Sequence, residues 1–432
     1  MHFQMMDLAY DRSHIWHPYA SLKNPPSVRG VVGAQGVELI LEDGRRLIDG
    51  VSSWWCVAHG HNHPHIVEAI CKQSEKLCHV MFGGFTHEGA IDLAKRLALI
   101  MPEGLDKVFF ADSGSIAVEV AVKMAIQYQQ AKGRPARSKM ISLKGAYHGD
   151  TACAMALSDP DGMHTLFAGM MPKHFFAPQP RGDVNAWAQE LERIVDMHKG
   201  EVAGIICESV FQAANAMHFY SQEYLDAMRR IADEHDLVLV YDEIAAGFHR
   251  TGPLWAHSRS NAIPDIMCVG KALTGGHITL AAAVASEKVA DTISNGGISA
   301  FMHGPTYMAN PLACAAANAS LDIFASSSYE SKVANIESAF ASALEPLRKL
   351  GNVRDVRVKG AVGVVEVERL PSRGDIDRVI DETGVWLRPF ANFIYSMPPL
   401  ISDDKTIARI VSALSSLASL PPGPAESSAF HE

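Results

Sequence analysis

LVLVYDEIAAGFHRTG at 237–252 and PDIMCVGKALTGG at 264–276 are the two stretches that decide the fold. Leu237 to Tyr241 is a short apolar run rich in β-branched residues, and Asp242-Glu243 closes it. Such a run reads as a strand buried on both faces of a parallel sheet. Ile266 to Val269 is a second one, followed by Gly270 and Lys271. Parallel α/β sheets place their chemistry just beyond the carboxyl ends of the strands. Asp242 and Lys271 both stand at such ends. A carboxylate and a lysine so placed suit pyridoxal phosphate: the amine forms a Schiff base with its aldehyde, and the carboxylate keeps the ring nitrogen protonated. The pair alone also fits a structural Asp and an ordinary surface Lys, because spacing is weak evidence.

Working outward, Asp106 to Phe110 reads as a strand that runs into Ala-Asp-Ser-Gly-Ser and then a long helix, IAVEVAVKMAIQYQQ, apolar on most faces. A small-residue loop opening a helix presents free backbone N–H groups and a positive dipole end to an anion. Gly114 and Ser115 are the natural phosphate contacts there, although any such turn needs a small residue and a cap. Lys139 to Leu143 is another strand, leading to KGAYHGDT, where Tyr147 suits either stacking on a flat ring or anchoring the loop. Val202 to Cys207 is a further buried strand ending at Glu208, and Leu280 to Ser286 is the strand expected after the lysine loop. At 301–306, FMHGPT forms a turn in which Thr306 offers a hydroxyl and an N–H, a donor pair that a phosphate takes.

The flanks have a different character. Residues 1 to about 12 read as a loose terminus, followed by WHPYAS with Trp16 and Tyr19, and by a hairpin signal from Gly36 to Asp49. Trp54-Trp55 lie in a Ser- and Gly-flanked loop, so the indoles either pack at a subunit interface or line an apolar pocket. His59, His61, His63 and His65 alternate and raise the question of a metal. No Asp, Glu or Cys accompanies them in sequence, and Asn62-His63-Pro64 reads as a turn into a helix beginning near His65. From Ser326 onward a mixed helix, Glu330 to Leu350, leads to strands at Val353–Val358 and Val362–Val367, then VWLRPF and a strand through Ile394-Tyr395. Arg388 suits a two-pronged bond to a carboxylate, or a surface ion pair. The expected organisation is therefore an arm and hairpin at 1–60 belonging to a small domain, a large cofactor-binding domain at 61–325, a small α+β domain at 326–420 and a tail without structure-forming residues at 421–432.

Composition sets outer limits. The chain has 432 residues, 48% hydrophobic and 20% charged, ordinary for a globular protein with a large core. A net charge of −10 argues against a nucleic-acid surface. No apolar run reaches the roughly 18 residues of a membrane helix. No basic region followed by an apolar core opens the chain, and seven scattered cysteines without a CxxC pair read as reduced thiols, so a cytoplasmic protein is expected.

With YDEIAAGFHRTG, GKALTGG, AYHGDT, FMHGPT, the WW pair and LRPF in view, the chain resembles a class III pyridoxal-phosphate aminotransferase of fold type I, over nearly its whole length. The resemblance implies an α/β protein: a large domain with a mainly parallel central sheet flanked by helices, plus a smaller α+β domain, acting as a homodimer with shared active sites. It implies that Lys271 is the Schiff-base lysine and proton shuttle, that Asp242 holds the pyridine nitrogen, and that Tyr147 stacks on the ring. Gly114 and Ser115 would bind phosphate, with Pro305 and Thr306 reaching in from the other subunit. Tyr19, Trp54, Asp150, Gly304 and Arg388 would contact substrate, Arg388 through its carboxylate. Within the class, the pattern is nearest a subgroup that moves the amino group of S-adenosylmethionine to 8-amino-7-oxononanoate in biotin synthesis. Ornithine, 4-aminobutyrate, a diamine or lysine as donor, a non-catalytic cofactor-binding scaffold and a histidine-based metalloprotein are the alternatives. Three places depart from the class pattern: Ala246 and His249 replace Thr and Gly, Gln212-Ala213-Ala214-Asn215-Ala216-Met217 replaces a glycine-rich segment, and His277 replaces a common tyrosine.

Overall fold

The computed structural model describes residues 6–215 and 217–424. Contacts divide the chain into two compact units, Pro64–Glu330 and Met1–His63 with Ser331–Glu432. Most of the expected tail at 421–432 lies outside the described residues.

The larger unit is built on seven strands: β1 Leu105–Ala111, β2 Lys139–Leu143, β3 Phe175–Ala177, β4 Val202–Glu208, β5 Val238–Asp242, β6 Ile266–Val269 and β7 Ala281–Ser286. They lie in the order β1-β7-β6-β5-β4-β2-β3. The five strands from β6 to β3 run parallel, and β7 is antiparallel to both β6 and β1. Every residue of β4, β5 and β6 is buried, which is why these segments read as unbroken apolar runs rather than alternating ones. Helix α1, Gly114–Ala131, packs its Ala and Val residues on β5, β6 and β7 in the main core. Ala281, Ala283 and Ala285 on β7 join that core, and their small side chains let the helix approach closely.

Register then sets the site. Asp242 lies opposite Glu208 on one side and Cys268 on the other, so two carboxyl groups end neighbouring strands at the same level. Lys271 comes three residues after Cys268 and opens a short 3-10 turn, Lys271–Thr274, with a left-handed φ of +44°.

In the smaller unit, Val31–Gln35, Glu38–Leu41 and Arg46–Asp49 form an antiparallel ribbon, and Val385–Trp386 adds a parallel fourth strand, Trp386 opposite Asp49. Val353–Lys359, Val362–Val367 and Phe393–Ser396 make a second, antiparallel sheet. Two expectations change here. The helix predicted over 330–350 is α-helical over Tyr329–Leu344 and tightens to 3-10 over Glu345–Lys349, because Pro346 has no N–H to continue the α pattern. The supposedly loose arm carries a helix, Leu8–His14, capped by Asp7, whose side chain accepts the Tyr10 N–H at 2.9 Å.

Candidate active site

Asp242 is 5% exposed, and both its oxygens are engaged. Oδ1 accepts the Ile244 N–H at 3.0 Å, and Oδ2 lies 2.8 Å from His148 Nδ1. A carboxylate only accepts, so the hydrogen of this bond belongs on Nδ1. The His148 ring is wholly buried, and its Nε2 has no hydrogen-bond partner among the described residues. Glu208, next in register, accepts the Tyr147 N–H at 3.0 Å and the Ala213 N–H at 3.2 Å. Burial, and then the charge of Asp242, push its carboxyl well above the usual range. A carboxyl that keeps its proton to higher pH eases the placing of two buried carboxyl groups at adjacent strand ends.

The amino end of α1 supplies a second feature. Ser113 caps the helix, its side chain accepting the Ile116 N–H at 3.4 Å. A Cβ added to Gly114 would come 3.0 Å from the Ile244 side chain. Gly149 has a φ of +122°, and a Cβ there would collide with the Ser115 hydroxyl. Gly114, Ser115 and Gly149 therefore meet around a helix terminus with room for small residues alone, the arrangement a phosphate takes. Tyr147 stands two residues before Gly149. Its ring is 5.9 Å from that of His164 and tilted by 23°, and His164 Nε2 lies 2.8 Å from Asp150 Oδ1. Lys271, Asp242, Tyr147, Gly114 and Ser115 thus belong to one end of one sheet. The small-residue cradle, the buried Asp242 and the orphaned Nε2 beside it fit pyridoxal phosphate: phosphate at α1, ring nitrogen at Asp242.

Gly304, Pro305 and Thr306 are placed elsewhere. His303 Nδ1 is 3.0 Å from Lys123 Nζ, and the Phe301 ring meets Phe109 edge-on at 5.3 Å. Lys123 lies about 13 Å along α1 from Gly114. Gly304 and Thr306 are exposed.

In the smaller unit, Tyr19, Trp54 and Arg388 come together. The Arg388 guanidinium carbon lies 4.8 Å from the Trp54 ring centre, and the Tyr19 ring meets that indole edge-on at 6.2 Å. Trp54 is 40% exposed, whereas Trp55 is 8% exposed and lies against Tyr395. Ser52, Ser53, Trp54 and Trp55 have φ values of +49°, +47°, +61° and +72°, a full left-handed turn without a glycine. Left-handed conformation costs an L-residue roughly 1–2 kcal/mol, so the surroundings must hold this turn in place.

Of the alternating histidines, His59 and His63 meet edge-on, and His61 and His65 each meet a carboxylate. His61 Nε2 is 2.9 Å from Asp49, and His65 Nε2 is 2.9 Å from Asp322. Both carboxylates come from outside the run: Asp49 from the strand twelve residues before His61, and Asp322 from 257 residues after His65. Among the described residues, Glu192, Glu234 and His235 converge, and Arg230 already pairs with both glutamates, at 3.8 and 2.9 Å. At the departures from the class pattern, His249 stacks on Tyr329, and Ala213 supplies a donor to Glu208. The Asn215 side chain occupies the space beside Gly145, and Ala216 lies outside the described residues.

Sequence reasoning missed Glu208, His148, His164 and Asp49. A signal for the first was present, since Glu208 ends a buried strand just as Asp242 does. His148 stood next to the tyrosine that drew attention, and the partners of His164 and Asp49 are visible only in three dimensions.

Comparison with known proteins bears on the same site. Residues 19–417 match the family described as aminotransferase class-III. The adenosylmethionine-8-amino-7-oxononanoate aminotransferase of Buchnera aphidicola from Acyrthosiphon pisum is 44% identical over 415 residues, covering 95% of this chain and 97% of the relative. The crystal structure of the enzyme of that name from Methanocaldococcus jannaschii superposes with a TM-score of 0.88 at 32% identity, covering 95% of this chain and 98% of that one. An amine transaminase from an uncultivated Pseudomonas species, solved with the cofactor bound, gives 0.87 at 30% identity, covering 94% and 98%.

Proposed function

The chain belongs to the class-III aminotransferases, which use pyridoxal phosphate, and on that premise we propose that it moves the amino group of S-adenosylmethionine to 8-amino-7-oxononanoate. The product is 7,8-diaminononanoate, a step of biotin synthesis. The observation that carries this reading is the strand-end pair of Asp242 and Lys271 beside the glycine cradle of α1. Identity of 44% across 95% of the chain to a relative bearing that activity in its name supports the choice of substrates.

Bound there, pyridoxal phosphate supplies an aldehyde that accepts an amino group and a ring that takes up the electron pair left when Cα loses its proton. The chain's residues do the rest. Lys271 Nζ removes the proton from the donor's Cα and, in the second half-reaction, delivers one to the acceptor carbon. Asp242 keeps a positive charge on the ring nitrogen, and the α1 N–H groups with Gly114 and Ser115 hold the phosphate. Tyr147 covers the ring, and Asp150 lies toward the keto substrate. Tyr19 and Trp54 give an apolar wall to a long acceptor, whose carboxylate Arg388 takes. Gly304, Pro305 and Thr306 complete the site of a second copy of the chain. The exposure of Gly304 and Thr306, with the exposed Met302 and Tyr307 beside them, supports a homodimer.

The test offers amino donors singly to the cofactor-loaded protein and follows its visible absorption. Loss of the band with S-adenosylmethionine, and its return with 8-amino-7-oxononanoate, is the expected result. Loss with lysine alone changes the donor. Loss only with ornithine, 4-aminobutyrate or simple amines refutes the reading in favour of another ω-aminotransferase.

A further inference from the structure

The left-handed turn Ser52–Trp55 is held from several sides, and one of the holds is a buried carboxylate. Asp49 ends a strand and is completely buried. Its Oδ1 accepts the Val51 N–H at 3.3 Å, and its Oδ2 accepts the Ser53 hydroxyl at 2.7 Å and lies 2.9 Å from His61 Nε2. Burial alone would raise this carboxyl, but the bonds from His61 and Ser53 outweigh it and hold the group below its usual range. Ser52 completes the clamp by donating its hydroxyl to the Met397 carbonyl at 2.7 Å.

Asp49 also faces the segment that carries the arginine. It is the register partner of Trp386, two residues before Arg388, and the Gly50 N–H bonds the Trp386 carbonyl at 3.0 Å. A Cβ on Gly50 would come 2.8 Å from that carbonyl, so the two segments are seated with no slack. Neighbouring side chains on a helical turn emerge about 100° apart, and the hand of the turn decides on which side each emerges. Here it sends Trp55 inward and Trp54 outward beneath the Arg388 guanidinium.

We propose that Asp49 is a positioning residue for carboxylate recognition: by clamping the left-handed turn it keeps the Trp54 indole against Arg388 and so fixes the direction in which the guanidinium offers its N–H fork. A guanidinium resting on an indole face keeps its in-plane donors free for a carboxylate. The inference rests on the role given above to Arg388.

The test uses the cofactor-loaded protein, with KM and kcat for 8-amino-7-oxononanoate and calorimetric binding of nonanoate as a carboxylate probe. Asp49→Asn is expected to raise KM and weaken nonanoate binding by about tenfold each, with kcat within about twofold. Adding Ser53→Gly should recover most of the loss, because glycine takes a φ near +47° without a clamp. Should Asp49→Asn not fold, Ser53→Ala removes one bond to Asp49 and should give the same split at about threefold. Arg388→Ala is the control. If it weakens nonanoate while Asp49→Asn leaves KM and binding unchanged, or if Ser53→Gly gives no recovery, the positioning role is overturned and the function stands. If Arg388→Ala itself has no effect, the carboxylate role of Arg388 fails, and this inference fails with it.

Discussion

Replacing His148 by Phe tests whether the buried bond to Asp242 carries the chemistry. The substitution keeps a flat ring in a wholly buried place and deletes one donor, the Nδ1–H at 2.8 Å from Asp242 Oδ2. Asp242 keeps the Ile244 N–H at 3.0 Å, its one other donor among the described residues. Hydrogen bonds to buried charged groups contribute about 1.5–3 kcal/mol. At about 1.4 kcal/mol per factor of ten, that is roughly 10- to 150-fold. Asp242 acts on the ring that stabilises negative charge only after Cα loses its proton, so the loss belongs in kcat rather than in substrate affinity. The assay is single-turnover loss of the cofactor band with saturating donor, alongside cofactor affinity and unfolding temperature. A rate within twofold of the native protein, with cofactor bound, would refute the coupling of His148 to Asp242. A lowered rate explained wholly by cofactor loss would show instead that His148 serves retention.

Other outcomes follow from the same geometry. Lys271→Ala is expected to keep binding cofactor and to lose turnover by at least about a thousandfold, since general base catalysis and the attachment point vanish together; near-normal turnover sinks the assignment. Glu208→Gln mimics a neutral carboxyl but can accept only one of the two N–H bonds, so it should cost about 1 kcal/mol at low pH. Because the folded Glu208 carboxyl is raised, its contribution is complete below about pH 4.5 and is lost as pH climbs. The native protein's advantage over Glu208→Gln should therefore shrink from pH 5 to pH 8 in denaturant titrations, and a growing advantage contradicts it. His174 is lowered to about 4 by burial and accepts the Met140 N–H at 3.2 Å, so its stabilisation is present above pH 6.5 and falls as the solution is acidified toward pH 4. The loss from pH 7 to pH 5 is at most about 2 kcal/mol, and nearer about 1 since the ring is only partly buried; His174→Gln should flatten it.

How much of this could be read beforehand depended on burial. β4, β5 and β6 are covered on both faces, so their runs of Val, Ile and Leu announce a parallel sheet without any partner being known. From that sheet follow the strand-end positions of Asp242 and Lys271, since chemistry collects where parallel strands stop. Register is not local. Nothing in VAGIICE or VLVYD says that Glu208 and Asp242 end level with one another, and it is this level placing that adds the charge of Asp242 to burial in raising the Glu208 carboxyl. The same holds for His164, whose ring meets Tyr147 and whose Nε2 meets Asp150 across a loop with no periodicity of its own. Pro346 shows the converse case, a local rule that the helix reading passed over.

Backbone handedness was the least legible feature, and it falls on functional candidates. Tyr19, Trp54 and Lys271 all have positive φ, at +56°, +61° and +44°. A chain reader expects glycine or asparagine in such places, so Tyr, Trp and Lys give no warning of them. Each conformation is unfavourable by itself and persists because neighbours over-determine it. For Trp54 those neighbours are Asp49, Ser53 and the Met397 carbonyl; for Lys271 they include the β6 strand and Gly270, whose own Cβ would press on Ala281 at 3.3 Å. A side chain that must present its functional group outward from a packed sheet or turn gains direction from such a backbone, and relaxing it would let the group fold back against the surface. The local rules of sequence thus break at residues assigned to lysine chemistry and to substrate contact, as they also do at residues such as Val210, Phe248 and Ala391 that carry no assigned role. On this account Ser53→Gly alone, which removes strain and one tether together, should raise the unfolding temperature yet leave carboxylate binding close to native, because glycine takes this φ without the tether and Ser52 still bonds the Met397 carbonyl.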